Sequence, residues 1–262
     1  MIGPQVSRVP EVIERCDTPR GEIQLQRRGA HYEIISNGVF LIATYNGESE
    51  RVLVTAALDA VGGATPEGGR GLSVLLGGLG VGFSLGAALA DPRVGRVTVV
   101  EVEPRVIAWN RTHLAPFSGH GLDDRRTRVV QDDLVRWLHQ ADAGERFDAV
   151  CLDVDNGPDW TVTAGNRALY TDAGLAAIRR RLRPGGVLSV WSASPAPRFL
   201  ARLGRRFRGA QAIAVQDAGA AACVVERSQG GDERRVEPSW IYLASLDPVG
   251  SAGSGDAFSP AG

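Results

Sequence analysis

Hydrophobic and polar positions follow two different patterns in the front part of the chain and in the remainder. In the front part, short apolar or alternating runs separated by turn residues predict strands. These strands are predicted at 22–26, 32–35 and 39–45. Ser36-Asn37-Gly38 supplies a hairpin turn, and a helical pattern over 52–60 leads away from the small sheet. We therefore expect a β-rich N-terminal subdomain over 1–61, followed by a glycine-rich boundary at 62–71.

The remainder of the chain alternates between apolar runs of strand length and helical patterns. Strands are predicted at 72–76, 97–101, 127–131, 148–152 and 186–191, and helices at 82–90, 104–113, 133–140 and 171–182. A helix at 195–206 and strands at 210–215, 221–226 and 239–245 follow, the last pairs antiparallel. This order predicts an α/β fold with a doubly wound, mostly parallel, seven-stranded sheet over 62–246. Residues 247–262 are rich in Gly, Ser, Ala and Pro, which predicts a disordered tail.

Composition removes several classes of function. The 262 residues carry a net charge of −1, which argues against a nucleic-acid partner. All 29 basic residues are arginine, so a Schiff-base lysine and a Walker A loop are excluded. Cys16, Cys151 and Cys223 are odd in number and far apart, which favours a reduced compartment. Because Met1 to Asp17 lacks an apolar core run, no signal peptide is expected, and we predict a cytoplasmic location.

One uncharged segment has the length of a membrane span. Gly71 to Ala90 is twenty residues long and contains Gly78 and Gly82 at the spacing of packed membrane helices. Six of the twenty residues are glycine, however, and they crowd the middle. The segment therefore favours a buried strand followed by a tight turn, and we predict no membrane partner.

A glycine run and an acidic residue follow two successive predicted strands. Gly78, Gly80 and Gly82 form a Gly-x-Gly-x-Gly run between a strand and a helix, where small residues let a ligand approach the backbone. Glu101 ends the next strand, nineteen residues past Gly82. A carboxylate there suits the two hydroxyl groups of a ribose. A purely structural turn is the alternative for the glycines alone.

Two further acidic groups follow the third and fourth predicted strands. Asp132 and Asp133 end the third strand, where an acid receives an adenine amino group; a helix cap is the alternative for Asp133. The fourth strand runs into a loop containing Asp153, Asp155 and Asp159. Like charges repel, so three aspartates here suit a cationic ligand or a general base. A solvated, capped loop is the alternative.

A nicotinamide enzyme shares the first two of these features. This chain places no His, Lys or Tyr-x-x-x-Lys arrangement where it would handle the proton of a hydride acceptor. The pattern therefore favours an adenosyl cofactor.

The motifs together resemble those of the spermidine synthase (polyamine aminopropyltransferase) family, which shares the fold of class I S-adenosylmethionine-dependent methyltransferases. The matching runs are Gly77-Gly78-Leu79-Gly80-Val81-Gly82, Val99-Val100-Glu101-Val102-Glu103-Pro104, Asp133, Asp153-Val154-Asp155-Asn156 and Leu182-Arg183-Pro184-Gly185-Gly186-Val187-Leu188. The resemblance covers about residues 11–245, including a front hairpin, Asn37-Gly38-Val39-Phe40.

The resemblance implies a role for each of these residues. Gly78, Gly80 and Gly82 would cradle the methionine-derived part of decarboxylated S-adenosylmethionine. Glu101 would bind the ribose and Asp133 the adenine, with Asp132 as the alternative if the register is one residue off. Asp153 would accept a proton from the attacking amine, and Asp155 would be the second catalytic acid, in place of the one that Asn156 replaces. Asn156, Trp160 and Tyr170 are candidate contacts for the acceptor amine, and Val39 to Ile42 a candidate homodimer interface.

The chain departs from the family pattern at four places and leaves other readings open. Gly80, Leu41 and Glu50 stand where the family usually has an acid, a glutamine and a tyrosine, and Asn156 replaces a second acid. Methyl transfer from intact S-adenosylmethionine to a small molecule is therefore an alternative, as is a non-catalytic nucleoside-binding protein. The acidic loop also resembles that of metal-dependent catechol methyltransferases. Those enzymes need an Asp-Asn pair where this chain has Trp191-Ser192-Ala193, so no metal is predicted.

Overall fold

The computed structural model describes residues 9–61, 69–140, 144–161, 163–216 and 237–246. The front of the chain forms an antiparallel sheet in which each strand pairs with the next. Its strands are β1 (Glu11–Thr18), β2 (Gly21–Arg28), β3 (His31–Ser36) and β4 (Val39–Ala43). Asn37 and Gly38 turn the chain between β3 and β4, both with positive φ, as a tight hairpin requires.

The second sheet has seven strands in the order β10-β11-β9-β8-β5-β6-β7. They are β5 (Leu72–Gly77), β6 (Val94–Glu101), β7 (Thr127–Gln131), β8 (Phe147–Leu152), β9 (Leu182–Ser192), β10 (Arg208–Val215) and β11 (Ser239–Ser245). Strands β5 to β9 are parallel, whereas β11 pairs antiparallel with both β9 and β10. The predicted α/β fold with a doubly wound, mostly parallel sheet is confirmed.

Helices cover both faces of the large sheet. They are α1 (Glu48–Val61), α2 (Phe83–Ala90), α3 (Pro104–Asn110), α4 (Leu134–His139), α5 (Asp172–Arg181) and α6 (Pro197–Gly204). Short 3-10 helices occupy Ala115–Ser118, Gly121–Asp123 and Ala164–Tyr170. Two hydrophobic clusters fill the core, one on each side of the large sheet.

Helix α1 belongs to the packing of the large sheet. Its apolar face, Leu53, Val54, Ala57 and Leu58, is buried in one cluster with residues of β9 and β11. The small sheet contributes Ile23, Leu25 and Ile34 to the same cluster. The two sheets therefore share one core. The predicted boundary after 61 stays a prediction, since 62–68 lie outside the described residues.

Several predicted elements differ from the observed ones. Strand β1 was not predicted, because its sequence does not alternate cleanly between apolar and polar residues. Strand β9 begins at Leu182 and not at 186: its pairing with β8 is irregular between Leu182 and Val187, and this irregularity accommodates Pro184. Helix α3 ends at Asn110, three residues early. The predicted strand 221–226 and tail 247–262 lie outside the described residues.

The uncharged segment 71–90 forms buried strand β5, a glycine turn and the eight-residue helix α2. Within the described part of the chain, no helix is long and apolar enough to cross a membrane.

Candidate active site

The glycine turn lies between β5 and α2, at the carboxyl end of the sheet. Gly78, Gly80 and Gly82 have φ of 90°, 52° and 94°, which L side chains rarely adopt. A Cβ on Gly78 would lie 2.1 Å from the carbonyl oxygen of Asp153, and a Cβ on Gly82 would lie 2.8 Å from Asn110 Oδ1. Glycine is therefore required on two counts, by backbone conformation and by the close approach of neighbouring atoms.

Strand β4 of the small sheet reaches the glycine turn through Ile42. A Cβ on Gly80 would lie 3.1 Å from Ile42 Cδ1. Leu41, which stands where the resembled family has a glutamine, is 40% exposed. An apolar side chain thus abuts the position at which that family usually carries an acid.

Asn110, which the sequence reasoning missed, supports the same turn from the end of α3. Its side-chain amide donates to the carbonyl oxygen of Gly80 at 2.8 Å and to that of Val106 at 3.0 Å. The residue is buried. Nothing in its sequence context marks Asn110, because its role depends on two elements that meet only after folding.

Glu101 connects the end of β6 to the glycine turn. Its Oε2 accepts from the backbone N–H of Leu79 at 2.9 Å, and its Oε1 from that of Glu103 at 2.7 Å. The side chain is buried, and this burial raises the pKa of Glu101, while its backbone hydrogen bonds lower it. A carboxylate held in this way has lone pairs left for the hydroxyl groups of a ligand.

Asp153 follows β8, beside the glycine turn. Its backbone N–H donates to the carbonyl oxygen of Gly77 at 2.8 Å, which fixes it next to β5. The low-dielectric surroundings, and secondarily the carboxylate of Glu101, raise the pKa of Asp153 to about 7. Two interacting carboxyl groups that resist simultaneous ionisation are suited to a cationic ligand and to proton transfer near neutral pH.

Asp155 organises the loop after β8. Its Oδ1 accepts from the backbone N–H of Asn156 at 2.9 Å, and its Oδ2 from that of Thr163 at 3.1 Å and from the side-chain amide of Asn166 at 2.8 Å. These bonds favour a positioning role for Asp155. The loop is also joined to β9, because the carbonyl oxygen of Asn156 accepts from Ala193 N–H at 3.0 Å.

Tyr170 and Trp160 border this loop in different ways. Tyr170 is buried, packs edge-on against Phe199, and has its pKa raised by burial and then by Asp155 and Asp153. Tyr170 is therefore close enough to the two aspartates for their charges to oppose its ionisation, but it presents little surface to a ligand. Trp160, in the segment that follows β8, is 58% exposed.

A cleft of about 400 Å³ at the ends of β6 and β7 contains the predicted adenine-binding acids. Its lining consists of Arg20, Val102, Gln131, Asp132, Asp133 and Arg136. Asp133 caps α4, because its Oδ1 accepts from the backbone N–H of Arg136 at 2.9 Å. One of its two oxygens therefore has the helix-capping role that the sequence analysis gave as the alternative. Asp132 pairs with the Arg136 guanidinium and accepts from Gln140 at 3.2 Å. Arg20, from the turn between β1 and β2, was missed together with that hairpin.

The structure thus places the predicted site residues at the carboxyl edge of the large sheet, with Glu101 at the end of β6, Tyr170 at the end of a 3-10 helix, and the others in the segments that follow β5, β7 and β8. Parallel topology explains this, because every loop that follows a parallel strand emerges at the same edge. Within the described residues, no three His, Cys, Asp or Glu side chains form a metal-binding group.

The strand order, the glycine turn after β5 and the acid ending β6 define a class I methyltransferase-like fold. Solved structures of other proteins share it, including the following two. Spermidine synthase from Thermotoga maritima matches with a TM-score of 0.67 and 18% identity, covering 91% of this chain and 75% of that one. Human methyltransferase-like protein 13, in complex with SAH, matches with a TM-score of 0.55 and 18% identity, covering 79% and 86%.

The chain belongs to the Spermine/spermidine synthase domain family, whose model matches residues 57–197. The polyamine aminopropyltransferase of Mycobacterium tuberculosis (strain ATCC 25618 / H37Rv) is 37% identical over 135 residues, which is 50% of this chain and 24% of that protein. Polyamine aminopropyltransferase 1 of Streptomyces coelicolor is 35% identical over 125 residues, 47% of this chain and 22% of that protein. The matched region thus spans about a quarter of the length of these relatives.

Proposed function

We propose that this protein transfers an aminopropyl group from decarboxylated S-adenosylmethionine to an amine. The observation that carries the proposal is the pair of interacting carboxyl groups, Glu101 and Asp153, beside a glycine turn in a member of the spermidine synthase family. The names of its relatives support the choice of transferred group, and the contacts described above support the role proposed for each residue.

The site fits an adenosyl sulfonium. The glycine turn leaves its backbone open to a ligand, and Glu101 has oxygen lone pairs for the ribose hydroxyls. The adenine would enter the cleft that Val102, Asp132 and Asp133 line. The positive sulfonium would relieve the repulsion between Glu101 and Asp153, so that ligand binding and ionisation of Asp153 favour each other.

In the proposed reaction Asp153 takes a proton from the ammonium form of the acceptor. The freed nitrogen lone pair attacks the aminopropyl carbon bonded to sulfur, a C–N bond forms, and the C–S bond breaks with its electrons passing to sulfur. The products are the alkylated amine in its positively charged ammonium form and a neutral thioether. Because the sulfonium is already a good leaving group, the protein contributes positioning and proton removal.

The acceptor is proposed to bind over the loop that follows β8. Asp155 holds this loop through Asn166 and Thr163, and the next residue, Asn156, donates its backbone N–H to the same carboxylate. The exposed indole of Trp160 offers a cation–π surface to an ammonium group. Tyr170 limits the depth of the pocket from behind.

Methyl transfer from intact S-adenosylmethionine is the second candidate, and one observation favours it. Gly80 removes the acid that would recognise the free amine of an aminopropyl group, and Ile42 makes that position apolar. The two co-substrates differ by one carboxylate, so direct binding distinguishes them.

The test is calorimetric titration of the full chain with each co-substrate, followed by a transfer assay with a diamine. We expect tighter binding of the decarboxylated form and formation of an aminopropylated product. Tighter binding of the intact form, with methylated product, would establish the second candidate. If a folded sample binds neither, the chain is a non-catalytic member of the family.

Two features of the assembled protein also stay proposals. We infer a homodimer, because Val39, Phe40 and Leu41 are each 39–40% exposed on consecutive positions of the small sheet. The cytoplasmic location rests on the cysteines, of which Cys16 and Cys151 are free thiols in the described residues.

A further inference from the structure

A second cavity, of about 770 Å³, lies at the amino ends of β5, β6, β7 and β8. Strand β5, which is six residues long, separates it from the glycine turn, a span of roughly 20 Å. The proposed transfer reaction does not use it. Six arginines line it: Arg70, Arg96, Arg128, Arg146, Arg181 and Arg183.

Two carboxylates bridge four of these arginines in pairs. Glu145 lies 3.6 Å from Arg96 Nη1 and 3.2 Å from Arg128 Nη2. Both guanidinium groups are more than half exposed, with side-chain exposures of 63% and 53%. One carboxylate therefore lies between two exposed cationic groups that line the same cavity.

Asp148, which is buried beneath the cavity lining, forms the second bridge. It accepts from Arg183 Nη1 at 2.8 Å and from Arg70 at 3.4 Å, and also from the backbone N–H of Ser73 at 2.8 Å. Asp148 is buried, so it fixes the positions of both arginines relative to the sheet. This pair is thus a preformed cationic edge.

The other two arginines complete the wall. Arg181 is buried, stacks 4.4 Å above the ring of Trp137 and donates to the carbonyl oxygen of Trp137. Arg146 is exposed and lies with its Nη1 3.4 Å from the carbonyl oxygen of Leu182. These contacts hold the cationic side chains without neutralising them.

The net charge around the cavity indicates which class of ligand it would bind. Six arginines against Glu145 and Asp148 leave a local charge of +4, in a chain whose net charge is −1. Like charges concentrated around a concave space are unfavourable unless an anion neutralises them. Arginine forks match the oxygens of phosphate groups, and the cavity has the size of a nucleotide site.

We propose that this cavity binds a small anion carrying several phosphate groups, with Arg96 and Arg128 on one side of the ligand and Arg70 and Arg183 on the other. The concave shape and the local confinement of the charge favour a small polyphosphate over a nucleic acid, which needs an extended basic surface. A nucleoside triphosphate and an inorganic phosphate chain share this chemistry.

The test is calorimetric titration of the full chain with sodium tripolyphosphate and, separately, with ATP, each at 50 and 200 mM salt. We expect one site and a marked loss of affinity at the higher salt concentration. The double variant R96Q/R128Q should weaken binding at least tenfold. The double variant R111Q/R198Q removes two exposed arginines elsewhere and should change it less than twofold. Thermal melts confirm that both variants fold.

Each outcome decides the proposal. Equal affinity for the two anions would identify the phosphate chain as the recognised group, and tighter ATP binding would identify a nucleotide. Absence of binding at millimolar anion would overturn the proposal. So would equal weakening by the two double variants, or a single-stranded oligonucleotide that displaces tripolyphosphate at lower concentration.

Discussion

The two edges of the seven-stranded sheet carry opposite charges. Glu101, Asp132, Asp133, Asp153 and Asp155 lie at the carboxyl edge, and the six cavity arginines lie at the amino edge. Parallel topology contributes to this difference, because helices that follow parallel strands begin at the carboxyl edge and end at the amino edge. Acidic groups are favoured near helix N-termini and basic groups near helix C-termini.

Helix ends account for only part of this asymmetry. Asp133 caps α4, and Arg179, Arg180 and Arg181 occupy the last turn of α5. Asp153 caps no helix, and its raised pKa shows that its surroundings oppose its charge. Arg96, Arg128 and Arg183 lie on strands. A charged side chain whose surroundings disfavour its charge indicates a ligand of the opposite charge. We therefore infer a cationic ligand at the carboxyl edge of the sheet and an anionic ligand at the amino edge.

The largest expected effect is at the carboxyl edge, on replacing the proposed base. D153N should lower kcat for amine transfer by about 10³-fold and leave co-substrate affinity within a few-fold, because only proton removal is lost. The rising limb of the pH–rate profile near 7 should disappear as well. D123N, which changes an exposed aspartate away from the site, is the control. Loss of co-substrate binding in D153N would remove Asp153 from the base role.

The second prediction concerns the stability of the glycine turn, where two glycine-to-alanine variants distinguish backbone strain from steric conflict. G78A places a Cβ 2.1 Å from the Asp153 carbonyl oxygen at a φ of 90°, and should lower the free energy of unfolding by at least about 3 kcal/mol. G38A places a Cβ at a φ of 76° with no neighbouring atom within 4 Å, and should lower the free energy of unfolding by only about 1–2 kcal/mol. Urea unfolding measures both variants. Equal costs would show that the close approach of Asp153 is unimportant.

A third prediction concerns the connection between β6 and the glycine turn. E101Q puts an amide donor where the carboxylate accepts two backbone N–H groups, and should weaken binding of an adenosyl sulfonium by about 10–50-fold. E11Q, on exposed β1, is the control and should leave affinity within twofold. An unchanged affinity in E101Q would show that the ribose binds elsewhere.

The raised pKa of Asp153 also predicts how stability depends on pH. The folded protein retains this proton up to about pH 7, whereas the unfolded chain releases it near 3.8. Stability therefore falls as pH rises through this window, and the loss is complete above it. D153N, which cannot ionise, should raise Tm by about 5 °C over the parent at pH 8. At pH 4 the two proteins should melt within about 1 °C of each other, and calorimetric melts at both pH values test this.

The smallest expected effect is on anion affinity at the amino edge of the sheet. E145Q removes the carboxylate between Arg96 and Arg128, and should tighten tripolyphosphate binding about threefold. Calorimetric titration in parallel with E11Q, which removes a negative charge elsewhere, isolates the local effect. A weaker affinity in E145Q would mean that Glu145 is needed to orient the two arginines toward the anion.

Local patterns in the chain were sufficient to predict the α/β architecture and the kind of residues at the carboxyl edge. Apolar runs of strand length followed by helical patterns predicted β5 to β9, and the fold then required every loop after a parallel strand to emerge together. For this reason Glu101 and Asp153 could be placed near each other from sequence, although 52 positions separate them along the chain.

Only the tertiary structure decided what each of those groups contacts. Asn110 donates to the Gly80 carbonyl, Ile42 abuts Gly80, and Arg20 lines the cleft beside Asp132 and Asp133, and no local pattern marks any of them. The arginine cavity was missed for the same reason, because its members come from five separate segments. Periodicity reports which face of an element is buried, whereas a contact between distant segments depends on how the sheets and helices pack.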